Sequence, residues 1–283
     1  GRRMLEERAG RPCLGVFPYL DDVTIDAEDG GALDDTWGGP APWPGPPSSS
    51  KRPKPAGGPA AAQGGRPTSV VIVRLPRISN FTDFALLDGA RYITEPVAEP
   101  PEVIILPGSK NTIADLAWLR SRGLDRWILE QHARGTAVGG ICGGYQMLGR
   151  TVADPLGVES APGRAEGLGL LPVDTVLEGE KTTRVVEAEL AATGRRFRAY
   201  EIHMGRTTVD GAEPFAFVDG RPEGARGERV LGTYLHGALE DPGILEDLLG
   251  VRVKSPAKDA VYDRLAGWFE GHADQGRFEE LYL

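Results

Sequence analysis

The sequence predicts an α/β fold, an open and mostly parallel sheet with helices on both faces. Three observations carry this. Short, largely apolar runs, Ser69 to Leu75, Val103 to Leu106 and Ala137 to Ile141, have the length and aliphatic content of strands buried on both sides. Segments with helical spacing, Ile113 to Arg120 and Leu124 to Arg134, lie between the second and third runs. Each apolar run also ends in a small-residue or proline turn, at Pro76, Pro107-Gly108-Ser109 and Cys142-Gly143-Gly144. Sheets of this kind place ligands at those carboxyl ends.

Composition narrows the function classes. The 283 residues suit one sizeable domain or two small ones. A formal net charge of -9 argues against nucleic acid or an anionic membrane as a partner. No apolar run reaches the roughly 18–20 residues that span a bilayer. The two cysteines, Cys13 and Cys142, form neither a disulfide framework nor a zinc pattern, which points to a reducing, cytoplasmic setting. The first residues lack an initiator methionine and a signal peptide's apolar core, so a longer polypeptide is expected.

Taken in order, Arg2 to Ala9 reads as a charged helical end and Cys13 to Phe17 as a short apolar strand, with Cys13 a small buried hydrophobe. Residues 1–26 are expected to be the remnant of a preceding domain. Residues 27–68 form a linker: nine prolines lie between Pro40 and Pro67, among many Gly, Ala and Ser, without periodicity. Order resumes at Ser69, with a strand to Leu75 and then a polar, turn-like stretch from Arg77 to Phe84. A helix or short loop leads to a strand at Tyr92 to Thr94. After Leu148 the pattern is richer in strands: Leu168–Val173, Thr183–Leu190, Phe197–His203, Phe215–Val218 and Val230–His236, with turns at Gly179, Gly194 and Gly211. Helices are expected at Pro242–Leu249 and Asp259–Glu270. One domain thus covers 69–250, and 251–283 is a helical extension.

The chemistry centres on Gly140-Ile141-Cys142-Gly143-Gly144. A buried strand breaks at a cysteine and runs into a helix, with glycines two before and two after. That is the nucleophile-elbow pattern with sulfur in place of a serine oxygen. A thiol at a helix N-terminus faces free N–H groups and the positive end of the dipole, which favour the thiolate. Such a nucleophile needs a base and an oxyanion hole. His132 and His272 lie on charged or polar segments and read as solvated. His203 and His236 each end a strand. The oxyanion donors would be backbone N–H groups, with Gly143 following the nucleophile and Gly108 on the neighbouring loop. Gly108-Ser109-Lys110 lacks the spacing of a phosphate loop.

The set Leu106-Pro-Gly-Ser-Lys-Asn-Thr112, Gly139-Gly-Ile-Cys-Gly-Gly-Tyr-Gln-Met-Leu148, Tyr200-Glu-Ile-His-Met-Gly205 and Gly232-Thr-Tyr-Leu-His-Gly237 resembles class I (triad) glutamine amidotransferases. Within that class it is similar to the cobyric acid synthase family, from about Ser69 to the C-terminus. Gly10 to Leu20 resembles the end of that family's ATP-dependent synthetase domain. The resemblance implies that Cys142 attacks L-glutamine, with His236 as base and then acid. It implies Gly108 and Gly143 as the oxyanion hole, and Gln146, His203 and Glu201 at the substrate pocket or interface. Ammonia would pass to the synthetase domain, which uses ATP and Mg2+ to amidate four carboxylates of a corrinoid, adenosylcobyrinic acid a,c-diamide. This chain itself would hold no cofactor or metal and at most hydrolyse glutamine.

One departure is visible. Most class I members carry a glutamate two residues after the histidine, where this chain has Ala238; the cobyric-acid branch shares this. Glu240 and Asp241 are the nearby candidates for orienting the imidazole. Rival readings are a cobyrinic acid a,c-diamide synthase or another cobyric-type amidotransferase, an elbow-cysteine hydrolase, and a non-catalytic binding module of the same fold.

Overall fold

The structure is a computed structural model that describes residues 1–18, 69–84, 86–87, 89–249 and 258–282. The expected linker at 27–68 lies outside the described residues. The chain divides into two units, Gly1–Asp26 with Lys254–Leu283, and Ala27–Val253.

In the first unit, α1 (Arg2–Ala9) ends at Gly10 in the left-handed region, φ 60. Residues 13–17 do not form the expected strand. Among the described residues they make one isolated bridge, Gly15 with Ala273. Cys13 is half-buried, and its thiol donates to the Gly15 carbonyl at 3.2 Å. Arg2 ties the ends of the unit together, donating to the Cys13 carbonyl (2.7 Å) and to Asp274 (3.0 Å). Phe17 stacks on Phe269 with centroids 5.2 Å apart.

The second unit runs β1 (Val70–Val73), β2 (Ile78–Ser79), a 3-10 turn at Phe81–Phe84, β3 (Arg91–Ile93), β4 (Val103–Leu106), β5 (Gly108–Ser109), α2 (Thr112–Ser121), α3 (Leu124–Ala133), β6 (Ala137–Ile141) and α4 (Gly143–Leu148). There follow β7 (Thr151–Asp154), β8 (Gly163–Glu166), β9 (Val173–Leu190), β10 (Arg196–Val209), β11 (Ala216–Val218), β12 (Arg221–Glu223), β13 (Ala225–Gly227), β14 (Val230–Thr233), β15 (Leu235–His236) and α5 (Pro242–Leu249). Helices α6 (Lys258–His272) and α7 (Gln275–Tyr282) belong to the first unit.

The primary sheet has the order β13-β14-β6-β4-β1-β3, parallel except for β13. Side chains alternate across it, as the period of a strand requires. Val71, Val73, Ile104, Leu106 and Val138 pack with Leu116, Leu119, Leu124 and Ile128 of α2 and α3. Val70, Ile72, Val103, Ile105 and Ile141 pack on the other face with Phe84, Leu87, Leu239 and Leu245. The central strands are therefore apolar at every position, which is why they are legible in the sequence.

A second sheet, β12-β11-β9-β10-β15 with β7 and β8, is largely antiparallel. Two expectations change here. Gly179 makes no turn; β9 runs on through it, and pairing with β10 jumps from Val176–Arg206 to Lys181–Met204. Residues 168–172 are not a strand; their N–H groups turn back to α4, with Leu168 donating to Met147 and Leu171 to Leu148. The expected single strand Val230–His236 is also two. β14 pairs parallel with β6, and after Tyr234 the chain crosses so that β15 pairs with β10, Tyr200 opposite His236.

Gly144 shows how tightly the elbow is packed: a Cβ there would run into the Leu106 carbonyl, which is fixed in β4. Gly144→Ala is expected to cost at least about 2–3 kcal/mol, the upper range for overpacking. Gly179 faces open space, so Gly179→Ala should fall within about 0.5 kcal/mol of the parent. Urea unfolding of both variants checks the contrast.

Candidate active site

Cys142 sits at the end of the central strand with φ 51 and ψ -112, a conformation a non-glycine residue rarely takes. Its backbone is held from both sides. The N–H donates to the Thr233 carbonyl at 2.8 Å, continuing the β6–β14 ladder, and the carbonyl accepts from Gln146 N at 3.1 Å, starting α4. The turn leaves Sγ half-buried in a cavity of about 380 Å3 shared with Ser79, Asn80, Ser109, Gly143, Ile202 and His236. The thiol reaches the Ile202 carbonyl at 3.3 Å.

His236 is brought there by the strand crossing at Tyr234. It is 1% exposed, and its ring stacks on Tyr200 with centroids 5.5 Å apart and planes 17° from parallel. Its Nδ1 lies 2.7 Å from Asp83 Oδ2, on a carboxylate with no solvent exposure. The other oxygen, Oδ1, accepts from Gly237 N at 2.7 Å, so one carboxylate fixes both the ring and the backbone after it. Asn80, itself at φ 55, places its amide 2.9 Å from the same Nδ1. Burial works to lower the imidazole pKa, but hydrogen bonds to Asp83 and to Cys142 outweigh it, and the group is held above the ordinary range.

Asp83 is thus the orienting group, and neither Glu240 nor Asp241 is. Asp241 caps α5, with Oδ1 accepting from Gly243 N (2.8 Å) and Ile244 N (3.1 Å). Asp83 sits in the polar stretch after β1, already placed by its position at a strand's carboxyl end. Its role was not readable because the partner histidine is 153 residues away.

The expected oxyanion loop is built as a small ladder, β2 with β5, pairing Ser79 with Gly108. Asp115, fully buried, anchors it by accepting from Ser109 Oγ (2.7 Å) and Arg77 Nη1 (3.0 Å). Gly143 lines the cavity, and a Cβ on it would stand 2.8 Å from Ser109 N. A Cβ on Gly108 would stand 3.6 Å from His236 Cε1. Both glycines therefore border the nucleophile and base.

The remaining three expected residues divide. Gln146 lines the cavity, but its amide is committed: Oε1 accepts from Thr112 Oγ1 (3.0 Å), and Nε2 donates to Tyr234 Oη (3.1 Å) and the Met204 carbonyl (3.3 Å). It braces the wall. His203 lines the cavity and stacks on Tyr234 with centroids 3.9 Å apart. Glu201 does not line this cavity. It holds His203 Nε2 at 2.8 Å and Arg184 Nε at 2.7 Å, and faces a second cavity instead. Its pKa is lowered by the His203 hydrogen bond and further by Arg184. Glu159, absent from the expected set, accepts from Thr112 N at 2.6 Å and lines the catalytic cavity, as does Lys181.

Comparison with known proteins bears on the family and the fold. The cobyric acid synthase of Geobacillus sp. (strain WCH70) is 39% identical over 100% of this chain and 57% of its own length. That of Cereibacter sphaeroides (strain ATCC 17025 / ATH 2.4.3) is 40% identical over 97% of this chain and 55% of its own. The chain therefore spans under three-fifths of these relatives. A solved structure described as a glutamine amidotransferase matches with a TM-score of 0.51 at 22% identity, covering 64% of this chain and 99% of its own, a likeness of fold. The model for CobB/CobQ-like glutamine amidotransferase domains matches residues 69–243, and the chain belongs to that family.

Proposed function

We propose that this chain is the glutaminase part of a cobyric acid synthase of cobalamin biosynthesis. The observation that carries the reading is a single cavity holding Cys142 at the N-terminus of α4 together with His236, itself bound to buried Asp83. A thiolate there attacks the side-chain carboxamide of L-glutamine. His236, protonated on Nε2, gives its proton to the departing ammonia, and the carbon is left as a thioester on Sγ. His236 then takes a proton from water, which attacks the thioester and releases glutamate. N–H groups at Gly143 and on the Gly108–Ser109 loop suit the oxyanion formed in each addition.

The rest of the activity belongs to polypeptide that the relatives carry and this chain does not span. There, ATP and Mg2+ would activate the four corrinoid carboxylates of adenosylcobyrinic acid a,c-diamide for attack by ammonia. The residues described offer no phosphate loop, so no nucleotide step is assigned to them. A cytoplasmic setting suits two free cysteines, and no described helix is long and apolar enough to cross a membrane.

Cys142→Ala and His236→Ala should each lower glutamine hydrolysis by about a thousandfold or more, and a diazoketone glutamine analogue should label the parent at Cys142 alone. Peptide mapping of the labelled chain and an ammonia-release assay check this; parent-like turnover by Cys142→Ala sinks the mechanism. Adding back the missing part of the longer protein and asking which corrinoid is amidated separates this reading from a cobyrinic acid a,c-diamide synthase.

Asp83→Asn should keep the fold and the label but lose about a hundredfold or more in turnover, because the imidazole loses its anion. Linkage gives a second signature. The folded pKa of His236 is raised above the unfolded value of about 6.5, so its contribution to stability is complete below that pH and is lost as pH rises through the folded value. The urea-midpoint gap between the parent and Asp83→Asn should therefore be widest near pH 6 and shrink at alkaline pH.

A further inference from the structure

A second cavity, about 660 Å3, adjoins the catalytic one, and His203 lines both. Its wall includes Glu201, Thr207, Glu223, Tyr145 and Tyr234. Two of these groups are incompletely matched, one in charge and one in hydrogen bonding. Glu223 is buried at the end of β12, where its oxygens accept from Tyr234 N and Thr233 Oγ1, each at 2.7 Å. Among the described residues no cationic side chain pairs with it. Tyr145 is 1% exposed, and its Oη has no hydrogen-bond partner among the described residues. Of the other carboxylates lining the cavity, Glu201 is paired with Arg184 and His203, Glu178 with Arg206 at 3.3 Å, and Glu180 is exposed to solvent.

We propose that this cavity is a site for a monovalent cation of ammonium size, held by the Glu223 carboxylate and the Tyr145 hydroxyl. An uncompensated buried carboxylate beside an unsatisfied hydroxyl is costly unless something polar and positive completes it. Burial, aided by the charge of Glu201, pushes Glu223 up to about 7, as expected of a carboxylate still lacking its counter-ion. Burial likewise raises Tyr145, so the phenol stays neutral and can accept. No three His, Cys, Asp or Glu side chains converge among the described residues, so a divalent ion finds too few charged oxygens here. A weakly hydrated monovalent ion needs only a carboxylate, a hydroxyl and water.

Two sources have this chemistry, ammonia released beside Cys142 once it has taken a further proton from water, and potassium from the medium. Only the first rests on the glutaminase reading. His203 lines both cavities and stacks on Tyr234, which lines the second, so ammonia released at Cys142 and protonated by water is formed close to this site.

The test uses the whole chain carrying Cys142→Ala, which releases no ammonia and so separates failure of this proposal from failure of the proposed hydrolysis. Thermal unfolding in lithium, sodium, potassium and ammonium chlorides at equal ionic strength should show a saturable rise in Tm with ammonium but not with lithium or sodium. Glu223→Gln and Tyr145→Phe should each weaken the apparent affinity about tenfold, the size of one lost polar contact. Thallium(I) soaked into crystals should give an anomalous peak between Glu223 and Tyr145. Ammonium binding well ahead of potassium supports the site and assigns it to the product; equal binding supports the site and assigns it to potassium. No selectivity over sodium, or selectivity that survives both substitutions, overturns the proposal.

Discussion

The turn at Cys142 is the constraint on which the rest of the catalytic unit depends. Holding a non-glycine residue at φ 51 costs on the order of 1–3 kcal/mol, and it persists only where the surroundings leave no alternative. Three parallel strands supply that pressure. β14 takes the Cys142 N–H through Thr233, and β4 sets the Leu106 carbonyl against Gly144. Relaxing the turn would break the ladder or drive a backbone oxygen into α4. The strain therefore keeps the sulfur at the mouth of a helix, where N–H groups without helical partners stabilise negative charge.

The same economy governs the histidine. A buried ion pair is weak evidence for stability, since desolvation of both groups offsets their attraction. His236 and Asp83 are nonetheless both excluded from solvent. What the arrangement secures is direction: Asp83 binds the ring and the next peptide N–H together, and Tyr200 stacks against one ring face. The acid that most class I members carry two residues after the histidine is Ala238 in this chain. Its work falls to a carboxylate from the turn after β1, on the opposite side of the sequence but at the same end of the sheet.

This explains what the sequence revealed and what it hid. The central strands of the primary sheet, β1, β4 and β6, carry no polar side chain because both faces are covered, so they and the elbow stood out. Cys142, His236, Gly108 and Gly143 could be grouped because all lie at carboxyl ends of neighbouring strands. Asp83 is a polar residue in a polar loop, and only the tertiary pairing gives it a role. The second sheet was less legible for another reason. Its strands are amphipathic and bulged, so a glycine such as Gly179 carries the same local signal whether the chain turns or continues. Gln146 and Glu201 stand in the motifs as if for substrate, yet their hydrogen bonds are taken by Thr112, Tyr234, His203 and Arg184.

Tyr234 shows why those motifs lie together. It is the one residue between β14, in the primary sheet, and β15, in the second. Its hydroxyl bonds to Thr207 at 2.6 Å and to Gln146, its ring stacks on His203, and its edge meets Tyr145 with centroids 5.2 Å apart. Its own N–H is bound by Glu223. A chain that must change sheets to deliver His236 has to pin the crossing residue on all sides, and every pin is a side chain of one cavity wall or the other. One crossing residue thus braces both the cavity that holds Cys142 and His236 and the cavity beside it.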